Sequence, residues 1–160
     1  MPLDLISATA FVCERMLVEK DDVLSAIRLV DLFYVTEFQI REGKPVPPQP
    51  FLGQSLAQAF VSMSLVVNLK AHPGYQASHS LILRIINPAG EEKNINEAPI
   101  QADFAAKIPE VPSGFTLIAQ LNIQPKVMGN YIVRVLLDGE EVCKAWFGIL
   151  KHPREEESVH

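Results

Sequence analysis

The sequence predicts an all-β protein, a two-sheet antiparallel sandwich of about seven to eight strands. Three observations predict it. Apolar residues recur at every second position in several separate segments. Prolines gather in two stretches between those segments, where a missing N–H works against a sheet ladder. No segment carries a long helical apolar period that could cover a parallel sheet, so an α/β architecture is disfavoured.

The elements follow in chain order. Residues 8–18 and 23–38 are rich in apolar and β-branched side chains, and the polar run Glu19-Lys20-Asp21-Asp22 turns the chain between them, so a long hairpin is expected. Asp31 falls inside the second of these strands, where aspartate is disfavoured. It marks a bulge or strand break, or else a buried carboxylate with a role. Residues 43–53 hold Pro45, Pro47, Pro48 and Pro50 and read as a connection rather than a strand. Their Pro-x-x-Pro spacings suit a stiff crossover, or a polyproline ligand for an aromatic groove.

The strand expected over 60–70 alternates Val61, Met63, Leu65, Val67 and Leu69 with more polar neighbours. His72-Pro73-Gly74-Tyr75 turns the chain into a strand over 79–87, with Leu81, Leu83 and Ile85 inward. Residues 87–114 are an irregular stretch with four prolines, a short strand near Lys93–Asn96 and one helical turn near Asp103–Lys107. Strands over 115–124, 130–137 and 141–150 complete the sandwich, with odd positions inward in each. One domain over 1–150 and a solvated acidic tail over 151–160 are expected.

The closing hairpin poses a register problem. Tyr131, Val133 and Val135 share the inward phase with Cys143, Ala145 and Phe147. A plain two-residue Asp138-Gly139 loop would pair odd with even positions and turn Cys143 and Phe147 outward. A three-residue loop, Leu137-Asp138-Gly139, is the expected solution, placing Val133 opposite Cys143 and Ile132 opposite Lys144. The outward face then carries Ile132, Arg134, Leu136, Val142, Lys144 and Trp146, the only tryptophan of the chain. Aliphatics, one tryptophan and two cations resemble the centre of an interface. Ile132, Arg134, Leu136, Lys144 and Trp146 are therefore the candidate partner-binding residues, unless a loop of the same chain covers them.

Gly129-Asn130-Tyr131 followed by Ile132-Val133-Arg134-Val135 resembles the Gly-x-Tyr start of the sixth strand in immunoglobulin-like sandwiches. The resemblance implies a tyrosine hydroxyl bonded back to nearby backbone. Val133 stands where antibody domains place a cysteine, so their inter-sheet disulfide is not implied. Phe11-Val12-Cys13-Glu14-Arg15 and Ala26-Ile27-Arg28-Leu29-Val30-Asp31, joined to the closing hairpin, resemble a small bacterial family of uncharacterised β-sandwich proteins. That resemblance implies a fold and no activity.

Composition bounds the function. Apolar residues make up 48% and charged residues 21% of 160, which suits one globular domain. The net charge of −5 and the scattering of basic residues such as Arg28, Lys70, Arg84 and Lys126 argue against nucleic acid. No apolar run approaches a spanning helix and no leader is apparent, so no membrane partner and a cytoplasmic location are expected. There, Cys13 and Cys143 should be buried thiols.

No phosphate loop, nucleophile elbow or Cys-x-x-Cys pair occurs, and no cofactor is expected. His72 and His79 flank one turn, but no third metal ligand is evident. Two functional classes remain. One is a non-catalytic binding or assembly module for a protein partner or a second copy. The other is an enzyme with a site built by loop 87–114, recognisable by a deep pocket gathering Asp31, Asp103 or His79.

Overall fold

The structure is a computed structural model and describes residues 3–18, 24–35, 38–41, 44–46, 56–57, 61–105 and 108–151. After a 3-10 turn at Leu3–Leu5 come β1 (Ile6–Val18), β2 (Leu24–Leu29), β3 (Leu32–Val35), β4 (Phe38–Arg41), β5 (Lys44–Val46), β6 (Leu56–Ala57) and β7 (Val61–Ala71). They are followed by β8 (Ala77–Ile86), β9 (Glu92–Asn94), β10 (Ile100–Phe104), β11 (Gly114–Ile123), β12 (Gly129–Leu137) and β13 (Glu140–Lys151). One sheet runs β11-β7-β1-β2 and the other β10-β8-β12-β13-β3, with β9 beside β8. A small third sheet runs β5-β4-β6. The protein is thus an all-β two-sheet sandwich.

The alternation read from the sequence decides which side chains meet. Met63, Leu65, Val67 and Leu69 of β7 share one buried cluster with Leu81 and Leu83 of β8, Val133 and Val135 of β12, and Phe147 and Ile149 of β13. Each large aliphatic fully buried this way contributes roughly 1.5–3 kcal/mol. The Tyr131 ring stacks on Phe147 at 5.5 Å, and its hydroxyl donates to the Val127 carbonyl at 2.7 Å. The bond back to upstream backbone implied by the Gly-x-Tyr pattern is therefore made. Burial pushes the Tyr131 hydroxyl above its ordinary value.

Several expectations need correction. The strand over 23–38 is broken at Val30 and Asp31: β2 lies on β1, whereas β3 lies on β13, parallel to it. Asp31 is exposed, so it marks a strand break and not a buried carboxylate. Lys44–Val46, read as connection, forms a strand at the edge of the third sheet, where a proline costs no ladder bond. Residues 47–53 lie outside the described residues. The short strand sits at Glu92–Asn94, and Asp103 belongs to β10 rather than to a helical turn, because Ile100–Phe104 pairs with β8. The tail lies outside the described residues except for Lys151, which closes β13.

The closing hairpin solves its parity by a different device. Asp138 and Gly139 both adopt left-handed φ, +49° and +84°, which makes the two-residue loop. Pairing starts at Leu137 with Glu140 and Leu136 with Glu141, then shifts by one, so that Val135 meets Cys143 and Val133 meets Ala145. The residue left over, Val142, forms a bulge. The bulge restores the inward phase that a three-residue loop was expected to restore. Ile132 consequently faces Trp146 rather than Lys144.

Candidate functional site

Pairing across β8, β12 and β13 arranges the outward face of the larger sheet in rows. Arg84, Arg134 and Lys144 form one row, and Ile86, Ile132 and Trp146 the next. Four of the five candidate residues, Ile132, Arg134, Lys144 and Trp146, are thus neighbours. Leu136 is not on the open face, as it is only 4% exposed. Three cations on adjacent strands would repel one another, and two carboxylates prevent this. Arg134 bonds Glu141 through Nε and Glu92 through Nη1 at 2.8 Å, and Lys144 bonds Glu141 at 3.1 Å. The hydrogen bond that Arg134 donates to Glu141, then the one to Glu92, holds its guanidinium above its ordinary value. Arg134 likewise holds the Glu141 carboxyl low. The charged row is therefore satisfied within the chain. The apolar row ends at Trp146, which is 61% exposed.

Beside Trp146 the described residues leave one flank of the sandwich open. At Val30–Asp31 the chain leaves one sheet for the other, so β2 stops short of the first half of β1 and β3 reaches only the last residues of β13. A cleft of about 480 Å³ opens there, with Ala10, Val12, Leu29 and Asp31 on one side and Lys144–Gly148 with Asn130 on the other. Sequence reasoning found Trp146 from phase alone. It missed the cleft, because the sheet switch that opens it is signalled only by Asp31.

A polar relay lies at the turn end of the same hairpin. His79, only 2% exposed, bonds Tyr75 Oη through Nε2 at 2.6 Å and Asp138 Oδ2 through Nδ1 at 2.6 Å. The carboxylate only accepts, so Nδ1 carries a proton, and in the neutral ring Nε2 accepts from the tyrosine hydroxyl. The second Asp138 oxygen accepts from the Ser80 N–H at 2.8 Å. The His79 bond first, then that from Ser80, holds the Asp138 carboxyl below its ordinary value. An acid–histidine–hydroxyl order resembles a nucleophilic relay. Here the hydroxyl belongs to a buried tyrosine packed edge-on against Phe104, and the arrangement fastens a turn. His72 is exposed and does not share this site.

The other candidate groups do not converge. Asp103 bonds Ser78, and no cluster of three or more potential metal ligands exists among the described residues. Cys13 and Cys143 are free thiols. Burial raises Cys13 and, with the nearby Glu141 charge, pushes Cys143 up to about 11, so neither is a ready nucleophile. Among the described residues no helix is long and apolar enough to cross a membrane.

No family model matches the chain, and no curated protein does. Among solved structures, it is similar over 55% of its length to the Pseudomonas fluorescens alkylpurine DNA glycosylase AlkC, solved with DNA containing an abasic site analog, at 14% identity and a TM-score of 0.42. It is similar over 69% of its length to a β-glucosidase from Listeria innocua, at 11% identity and a TM-score of 0.40. The matched parts span 25% and 18% of those chains. Likeness of this degree carries nothing about function.

Proposed function

We propose that this chain is a non-catalytic binding or assembly module, which engages a protein partner or a second copy through the outward face of β12 and β13. A single observation carries the reading: the only tryptophan stands 61% exposed at the end of an apolar row on the larger sheet. A large amphipathic ring held by a sheet loses little entropy on contact, which is why tryptophan dominates interface centres. Ile132 and Ile86 extend the contact, and the satisfied Arg134 and Lys144 supply a polar rim. A cytoplasmic setting and kinship with the bacterial β-sandwich family belong to the same proposal. Among the described residues Asp31 alone of Asp31, Asp103 and His79 lines the cleft, which gives the loop-built enzyme less support.

The test is Trp146→Ala, followed by sedimentation velocity and by capture of partners from the native host. The variant is expected to fold normally and to lose self-association or the captured partner. Association unchanged in the folded variant would refute the reading.

A further inference from the structure

We propose that the cleft between β1 and β13 is a strand-acceptor slot, taking an extended peptide that adds to the open edge of β13 over Lys144–Phe147. The proposal rests on the binding-module reading and names the class of its ligand.

The direction of the main-chain groups is the first argument. The Gly148 N–H donates to the Asp31 carbonyl at 2.7 Å, away from β12. Strand alternation then turns the N–H and C=O of Trp146 and Lys144 the same way. Pairing with β3 begins only at Gly148, so among the described residues no strand covers this edge from Lys144 to Phe147. Across the cleft the same holds for β1. The Val12 carbonyl accepts from Val30 at 3.3 Å, so the main-chain groups of Ala10 point into the space where β2 is missing. Among the described residues both sheets therefore lack a last strand at the same place.

The second argument is continuity. Immediately beyond Gly148 the same edge of β13 already holds a strand of this chain, β3, in parallel pairing through Lys151. An added peptide would occupy the line of β3 on the other side of the Asp31 break. The open stretch of β13 spans about 13 Å at ~3.3 Å per residue. The cleft of about 480 Å³ falls within the range of sites that enclose a ligand.

Side chains supply the specificity. Ala145 and Phe147 point inward from β13, and Ala10 and Val12 point inward from β1. An added strand would direct alternate side chains between these four, which calls for small or branched apolar residues. The other phase would lie beside Trp146 on the outer face. The ligand is thus an extended peptide with alternating apolar positions. The main-chain bonds provide affinity, and the inner positions provide selection.

The probe is a synthetic nonapeptide, acetylated and amidated, alternating valine and threonine between terminal lysines. Titration followed by Trp146 fluorescence and by amide exchange in NMR should show saturable binding. Exchange at the Lys144 and Trp146 amides should slow by about tenfold or more. N-methylation of the peptide amides on the phase that faces β13 should weaken binding by about tenfold or more, whereas methylation on the other phase should not. Lys144→Pro removes one slot-facing N–H and spares the ladder to β12, so it should abolish binding. No protection at Lys144 and Trp146, or equal binding of the two methylated peptides, overturns the proposal. If Lys144→Pro fails to fold, the methylated pair decides on the unaltered protein. Association that needs Trp146 but tolerates Lys144→Pro overturns the slot and leaves the module standing. Association indifferent to Trp146→Ala overturns the module itself.

Discussion

The turn and the middle of the β12–β13 hairpin treat their polar groups in opposite ways. At the turn end, His79 is almost wholly buried, yet both ring nitrogens have partners, and Asp138 is held by a ring nitrogen and a backbone N–H. Midway along β13, the main-chain groups of Lys144 and Trp146 face a cleft where no strand of the described residues lies. The difference separates polar groups satisfied within the chain from main-chain groups that no described strand pairs. Buried polar groups whose partners all lie within the chain hold the fold together, and the open groups beside the exposed Trp146 ring are those the proposed peptide would pair.

The sharpest way to break that contrast is His79→Ala. The change empties a site ringed by Tyr75 and Phe104 and leaves the Tyr75 hydroxyl buried without its partner. A loss of about 2–4 kcal/mol in unfolding free energy is expected by urea denaturation. A loss below ~1 kcal/mol would mean the relay is not holding the turn, and a chemical role for it would need reconsidering.

A smaller effect concerns pH. The folded Asp138 carboxyl titrates below the ordinary aspartate value, chiefly through the His79 bond. A depressed carboxyl pKa contributes stability that is present above the unfolded value and lost as pH falls through the folded one. The window therefore lies below about pH 4. Asp138 is 51% exposed, so screening keeps the contribution small. Thermal melts from pH 6 to pH 2 should show the wild type losing more than Asp138→Asn over the acid limb. Parallel curves would place the acid sensitivity elsewhere.

These contrasts also show what was legible in the sequence. Period-two alternation carried the sandwich, because facing apolar positions have only one way to be buried together. It also placed Trp146 on the outward phase opposite Phe147. It did not reveal how parity was kept, since a three-residue loop and a two-residue loop with a bulge at Val142 satisfy the same burial pattern. It did not show that β2 and β3 belong to different sheets, because Asp31 marks a break without saying where the chain goes next. The relay was hidden for a related reason: Tyr75 and His79 are close in sequence, but Asp138 lies on a turn that only the folded register brings near. Leu136 was placed outward by phase, and phase alone does not report what covers a face.

The smallest expected effect is the most informative about the open stretch of β13. Trp146 and Phe147 are chain neighbours on opposite faces of β13, one 61% exposed and the other 2%. Phe147 stacks on Tyr131 and meets Phe33 edge-on at 6.1 Å. Its replacement by alanine should cost about 3–5 kcal/mol, the range for emptying an aromatic core site. Trp146→Ala should change the unfolding free energy by less than ~0.5 kcal/mol, the range for an exposed position outside any network. The two variants, measured side by side in urea, separate a residue that packs the core from one that the proposed partner would contact. A Trp146→Ala loss above ~1 kcal/mol would show that the ring is already engaged by its own chain. The outer face would then be a second core of the monomer, with no tryptophan left to present.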